Sequence, residues 1–256
     1  MAFTRAVSPK LAQCALTHLA RVPIDATAAS LQHDAYEQAL RDAGFEVIRL
    51  PDLAEHADGV FVEDTALLLD DHAVVLRPGA RSRAGEVDST ALGLAEHFVV
   101  HRIKRGHVDG GDVLRIGKTL YVGLSSRTNS EGVAELQHVA GRLGFDVAAT
   151  NLRNCLHLKT AATLAGRDMA GRLVLLYNRH AVDPDQFAGV QAVAVDETER
   201  TAANVVHAGA KVIMPAGNPA TAGLLGELGF QVVEVDVSEL EKAEAGVTCM
   251  SLISEA

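Results

Sequence analysis

The chain runs to 256 residues, 48% of them hydrophobic, with a formal net charge of −10. That length can bury a sizeable core as one large domain or two small ones, and no apolar run is long enough to span a bilayer. The acidic balance argues against nucleic acid as a partner and suits a cationic small substrate.

The first amphipathic segment sets Leu31, Ala35, Ala39 and Leu40 on one helix face. It closes with Ala39-Leu40-Arg41-Asp42-Ala43-Gly44, and Phe45-Glu46-Val47 opens a strand. The same punctuation returns at Ala140-Gly141-Arg142-Leu143-Gly144-Phe145 and at Leu225-Gly226-Glu227-Leu228-Gly229-Phe230. In each, glycine takes the position just past the helix end, where a left-handed residue is wanted. Ahead of the helices from residue 60 onward lie pairs of short strands. Phe61 to Leu69 pairs with Ala73 to Leu76. Asp112 to Ile116 turns at Gly117-Lys118 into Leu120 to Gly123, followed by a helix over Ser130 to Leu143. Leu158 to Leu164 with Leu173 to Tyr177, and Asn204 to His207 with Lys211 to Met214, repeat the pattern. The unit is strand–strand–helix–strand, recurring at roughly 40 to 50 residues, the mark of a repeat architecture.

About five such units fit the chain if Val247 to Ile253 pairs with the N-terminal strand around Phe3 to Ala6. That return closes a ring and removes the open edges, making residues 1–256 a single domain. A doubly wound parallel sheet is the rival, but it alternates single strands with helices and has no place for the hairpins.

Equivalent positions in a ring of equivalent units face the same central hole. Glu63 and Asp64, Asp109 and Asp112, His157, Asn204 and Cys249 all stand at the leading end of the first strand of their units. A thiol, an imidazole and a carboxylate so gathered form a nucleophilic set. Asp64 and Asp109 oppose thiolate formation in the empty site, so the set makes sense if the substrate brings positive charge. A guanidinium does so, matching carboxylates with paired hydrogen bonds and lowering the thiol pKa by proximity. Attack at its central carbon gives a tetrahedral adduct and then a covalent thiouronium. His157 can protonate the departing amine and later deprotonate the hydrolytic water.

Cys14, Cys155 and Cys249 form neither a disulfide framework nor a zinc-ligand spacing, and no charged-then-apolar leader follows Met1. A reducing cytoplasm is the expected compartment. Cys14 and Cys155 read as small buried hydrophobes, and His33, His56 and His72 as solvated or structural. Asp112, beside two glycines, reads as shaping a turn.

Several blocks in order from about Arg5 onward resemble the dimethylarginine dimethylaminohydrolase family. They are Phe61-Val62-Glu63-Asp64-Thr65, Arg77-Pro78-Gly79-Ala80-Arg81-Ser82-Arg83, Asp109-Gly110-Gly111-Asp112, Gly123-Leu124-Ser125-Ser126-Arg127-Thr128-Asn129, Leu156-His157-Leu158-Lys159-Thr160 and Thr248-Cys249-Met250-Ser251. The resemblance implies a five-bladed α/β propeller without metal or organic cofactor, hydrolysing Nω-methylated arginines to citrulline and methylamine or dimethylamine. It implies Cys249 as nucleophile, His157 as general acid/base, and Asp109 as the residue that orients His157 and holds the guanidinium. Asp64 would bind the guanidinium, supported by Glu63 and Asp58. Arg83 and Arg127 would take the substrate carboxylate, backbone groups near Ala243 and Glu244 its amino group, and Leu16 would close over the site from a mobile N-terminal loop. Asp109 is glutamate in some relatives, and Glu244 stands where relatives often carry aspartate. The expected partner is the small-molecule substrate, with neither nucleic acid nor membrane; the oligomeric state is open, a homodimer included.

The nearest rival, arginine deiminase, carries an aspartate two residues after the histidine, where this chain has Lys159. An alkylated guanidinium has fewer N–H donors to satisfy, so a missing acceptor favours methylated substrate over arginine. A non-catalytic arginine binder is the reading from another class, though it needs no intact triad. A metal hydrolase lacks support, since no histidine pair has H-E-x-x-H spacing.

Overall fold

The structure is a computed structural model and describes residues 1–254. Its strands form five sheets of three strands each. The first unit joins Ala66–Leu69, His72–Val75 and Val99–Arg102; the second joins Val113–Ile116, Thr119–Leu124 and Asp146–Asn151. The third uses Ala162–Arg167, Leu173–Tyr177 and Gln191–Ala194, and the fourth Val206–Ala208, Lys211–Pro215 and Gln231–Val235. In each, the first two strands are antiparallel and the third is parallel to the second. A parallel neighbour requires a crossover, supplied by the helices Val87–Leu94, Ser130–Gly141 and Pro219–Glu227. The third unit departs from the pattern, crossing by the short 3-10 turn Pro184–Gln186.

The fifth unit is built from both chain ends. Leu252–Ile253 runs antiparallel to Ala2–Thr4, with Ala2 opposite Ile253 and Phe3 opposite Leu252. Val47–Arg49 completes it in parallel after the Ala26–Asp42 helix. The ring closes as expected, one residue earlier on the N-terminal side.

The helix-end glycines behave as their position demands. Gly44, Gly144 and Gly229 have φ of 100°, 82° and 94°. The following phenylalanine N–H reaches back to the carbonyl of Leu40, Ala140 or Leu225, each at 3.0–3.1 Å, which stops the helix and aims the next strand. Hydrophobic packing gathers into five clusters, most of them spanning neighbouring units: Leu69, Val74, Val113 and Leu136 pack in one, and Phe3, Leu50, Ala73 and Leu94 in another.

Two sequence expectations are corrected. The first helix does not bury Leu31 and Ala35; Leu31 is 67% exposed and Ala35 also faces solvent. The buried face runs through Ala29, His33, Tyr36, Glu37 and Leu40 instead. Glu37 is buried because Thr4 Oγ1, Arg49 and Arg41 all reach its carboxylate, so polar residues took positions that a hydrophobic pattern reserves for aliphatics. The second correction is systematic. In four of the five units the first strand starts later than the apolar run suggests, because a helical turn precedes it. Val62–Thr65, Gly110–Asp112, Leu158–Ala161 and Thr248–Met250 are such turns, one each from the first, second, third and fifth units. The residues expected to converge ride on these turns or beside them. Among the described residues no helix is long and apolar enough to cross a membrane.

Candidate active site

The inner ends of the five units are stitched to one another around the bore. Asp64 Oδ1 accepts the Gly111 N–H at 3.0 Å, joining the first unit to the second. Asp112 Oδ1 accepts the Leu158 N–H at 3.0 Å, joining the second to the third. Asn204 Nδ2 donates to the Lys159 carbonyl and to Thr248 Oγ1, both at 2.9 Å, and Thr248 Oγ1 donates to Glu63 Oε2 at 2.9 Å. Every seam thus carries a hydrogen bond made by a residue next to, or within, the site.

Cys249 lies in the Thr248–Met250 turn, buried, with the Gly246 N–H 3.4 Å from Sγ. Burial and the negative charges of Glu63 and Asp64 push its thiol well above the ordinary range, against the Gly246 bond and the Lys159 charge. In the empty site Cys249 is therefore a thiol. Gly246 has no room for a side chain: a Cβ there would stand 2.2 Å from Asn204 Oδ1.

His157 caps the Leu158–Ala161 turn. Its Nε2 is 3.1 Å from Asp109 Oδ2, and its Nδ1 is 3.8 Å from Asp64 Oδ1. Burial alone would lower its pKa, but Asp64 and Asp109 overcome that and hold it at about 9, so the ring is an imidazolium at neutral pH. Asp109 is fully buried; its other oxygen accepts the Gly79 N–H at 2.7 Å, and Thr128 Oγ1 takes its own N–H at 3.1 Å. Asp64 stays ionised despite burial, because His157, Arg83 and the Gly111 amide lower its pKa. Gly111 is obligatory here, since a Cβ would lie 2.6 Å from His157 Nδ1 and 2.9 Å from Asp64 Oδ1.

Asp58, Asp64, Arg83, Arg127, His157, Ala243, Glu244 and Cys249 border one cleft. Of the remaining candidates, Leu16 is half-buried against the neighbouring core, and Ala15 borders the cleft in its place. Glu63 sits beneath the cleft, held by Lys159 Nζ at 2.8 Å and by Thr248. Behind it the bore widens into a larger cavity with mainly apolar walls, which lacks the cysteine, histidine and aspartates. Asp58 accepts the Ala15 N–H at 3.1 Å, and burial raises its pKa.

The two arginines differ. Arg127 leans toward the cleft, its Nη1 3.6 Å from Asp109 and its Nη2 donating to Thr17 Oγ1 at 2.8 Å. Arg83 is buried and committed inward: it pairs with Asp64, with Glu86 at 2.8 Å, and with the Phe61 carbonyl at 2.6 Å. The Arg83–Glu86 pair and the Lys159–Glu63 pair went unread in the sequence; Lys159 carried a signal, as the cation standing where the rival enzyme has an acid. Asp112 does more than shape a turn, because it also places Leu158 and hence His157. Asp64, Asp109 and His157 each set one ligand atom within 4.8 Å of the others, a spacing that could hold a cation; the His157 proton would compete with it, since a ligating imidazole must be neutral.

Fold and site together define an enzyme of the guanidino-modifying class with a cysteine in its reaction centre. Among curated relatives, N(G),N(G)-dimethylarginine dimethylaminohydrolase of Streptomyces coelicolor is 37% identical over 98% of this chain and 95% of its own length. The Pseudomonas aeruginosa enzyme of that name is 35% identical over 86% of each chain. The chain belongs to the dimethylarginine dimethylaminohydrolase family. A solved structure of a mutant of the Pseudomonas aeruginosa enzyme, complexed with citrulline, superposes with a TM-score of 0.91 at 33% identity, covering 98% of this chain and 97% of that one. The N-terminal domain of the cyanobacterial arginine dihydrolase ArgZ, at 19% identity and a TM-score of 0.77, shares the fold alone. No family model matches the chain.

Proposed function

We propose that this chain hydrolyses Nω-methylated arginines to citrulline and methylamine or dimethylamine through a thiouronium on Cys249. The observation that carries the reading is geometric: Cys249, His157 and Asp64 border one cleft, and His157 is held there between Asp64 and Asp109, an acidic setting suited to a guanidinium.

The incoming guanidinium takes Asp64 and Asp109. Arg127 and Arg83, both bordering the cleft, take the substrate carboxylate, Arg83 from its place on Glu86 and the Phe61 carbonyl. The new positive charge near Sγ lowers the thiol pKa, and the proton leaves to solvent. The thiolate attacks the guanidinium carbon. His157, held by Asp109, passes its proton to the alkylated nitrogen, the C–N bond breaks, and the amine departs. Neutral His157 then takes a proton from water as its oxygen attacks the thiouronium carbon; the C–S bond breaks as the hydroxyl of the adduct becomes the citrulline carbonyl, and the hydroxyl proton passes to sulfur, restoring the thiol. Backbone groups of Ala243 and Glu244 receive the substrate amino group.

The pairing of Lys159 with Glu63 removes one acceptor from the guanidinium side, which supports methylated substrate over arginine. Citrulline release from asymmetric dimethylarginine, with Cys249→Ser as control, tests the reading. Release by the wild type and none by Cys249→Ser is expected; faster turnover of arginine would overturn the substrate assignment.

A further inference from the structure

One side chain at the rim of the cleft is tied to a segment from the far end of the sequence. Glu244 Oε1 accepts the N–H groups of Thr17, His18 and Leu19 at 3.0, 2.5 and 2.5 Å, and Oε2 accepts the Thr17 N–H again at 2.9 Å. Three consecutive amides aimed at one carboxylate form an anion-binding nest. Glu244 itself has φ of 61°, a left-handed conformation that few side chains other than glycine adopt without being held there. The segment is fastened at two further points, both on residues of the cleft: the Ala15 N–H on Asp58, and Thr17 Oγ1 on Arg127. Leu19 and Val22 lie on its outer side, 49% and 45% exposed. No apolar packing of comparable extent holds residues 17–19, all of which are exposed, so polar fastenings determine where the segment lies.

We propose that Glu244 is a positioning residue that ties closure of the N-terminal segment to recognition of the substrate's amino end. This deepens the reading given above and rests on it for the identity of the substrate. The Glu244 carboxylate holds residues 17–19 over the cleft. The same bonds fix its own backbone in the left-handed form that turns the Ala243–Glu244 peptide toward the substrate amino group. Loss of the carboxylate frees the segment and lets that peptide relax together with it. Arg127 adds a hand-over: a substrate carboxylate arriving at its guanidinium competes with Thr17, while the Glu244 nest keeps the segment in place.

The test uses the full chain as wild type, Glu244→Ala, Glu244→Gln and Glu244→Asp. Amide hydrogen exchange is followed over residues 15–22 without substrate, and citrulline release is measured with asymmetric dimethylarginine and with its analogue lacking the α-amino group. In Glu244→Ala, exchange at Thr17, His18 and Leu19 is expected to accelerate about tenfold or more as the nest is lost. KM for dimethylarginine should rise about tenfold while kcat changes by less than about threefold. Glu244→Gln, which keeps a neutral acceptor at the Oε1 position, should fall between, and Glu244→Asp should restore part of the protection. The KM penalty should largely vanish with the analogue. Unchanged exchange in Glu244→Ala would overturn the latch, and an equal penalty with both substrates would overturn the link to the amino end. A fall in kcat with KM unchanged would assign Glu244 to the chemical step and overturn the proposal. Exchange is read without substrate, so it decides the latch even if the wild type releases no citrulline, an outcome that would overturn the substrate assignment instead.

Discussion

His157 is held between two aspartates, Asp109 Oδ2 at 3.1 Å from Nε2 and Asp64 Oδ1 at 3.8 Å from Nδ1. The chemistry assigned to the cleft depends on the proton this arrangement keeps on the ring. Asp109→Asn removes one of the three carboxylate charges, with those of Asp64 and Asp112, that raise the pKa, so the imidazolium loses its proton at lower pH. The alkaline limb of kcat/KM is expected near pH 9 in the wild type and nearer neutrality in the variant, with kcat at pH 7 lower by about 10²-fold. A pH–rate profile reads both; an alkaline limb left near 9 would show that Asp109 does not govern this proton.

The same proton appears in stability. The folded-state pKa of His157 lies at about 9, above its unfolded value of 6.5. Its contribution is fully present below pH 6.5 and is lost as pH rises through 9, amounting to about 3 kcal/mol for a buried group. Urea unfolding of the wild type should therefore weaken between pH 6.5 and 9. In His157→Asn the same interval should be flatter, and two parallel curves would contradict the assignment.

Gly111 has no free space toward the site. Gly111→Ala places a methyl against His157 Nδ1 and Asp64 Oδ1, so one of the two must shift. A misplacement of this kind is expected to cost about 10²-fold in kcat, with the melting temperature much less affected. Steady-state kinetics beside a thermal melt would separate the two effects; an unimpaired variant would mean that His157 sits elsewhere when substrate is bound.

Lys159→Ala leaves the Glu63 carboxylate hydrogen-bonded to Thr248 and without the countercharge that Lys159 holds 2.8 Å away. Stability is expected to fall by about 1–3 kcal/mol. The Cys249 thiol should become harder to ionise as well, since the Lys159 charge is one of the influences that lower it. Chemical denaturation and the pH dependence of thiolate ultraviolet absorbance, taken against Cys249→Ser, measure the two consequences.

The repeat made most of this legible from sequence. Glycine–phenylalanine punctuation marks the helix ends, and equivalence of the units gathers Asp64, His157 and Cys249 at one cleft, with Asp109 buried behind it against His157. The misreadings share a physical origin. Apolar runs such as Phe61 to Leu69 look like strands throughout, yet their first residues fold into a helical turn, because they must present side chains inward and bond to the next unit. Glu37 shows the same limit from the other direction: a carboxylate satisfied by Thr4, Arg41 and Arg49 is buried as readily as a leucine, and no hydrophobic period reveals it. Arg83 looked available for a ligand because Asp64 becomes its neighbour only in the folded chain, and because nothing in the sequence marks the turn that brings Glu86, three residues on, against its guanidinium.

The sulfur of Cys249 stands three residues ahead of the strand that pairs with Ala2–Thr4. During folding that pairing spans the greatest separation along the polypeptide, and contacts of such span form late. A nascent or stalled chain, with four units assembled and the fifth still apart, would hold the aspartates and the imidazole but no nucleophile among them. Reactivity would then arrive with the last seam, and incomplete molecules would be hydrolytically silent.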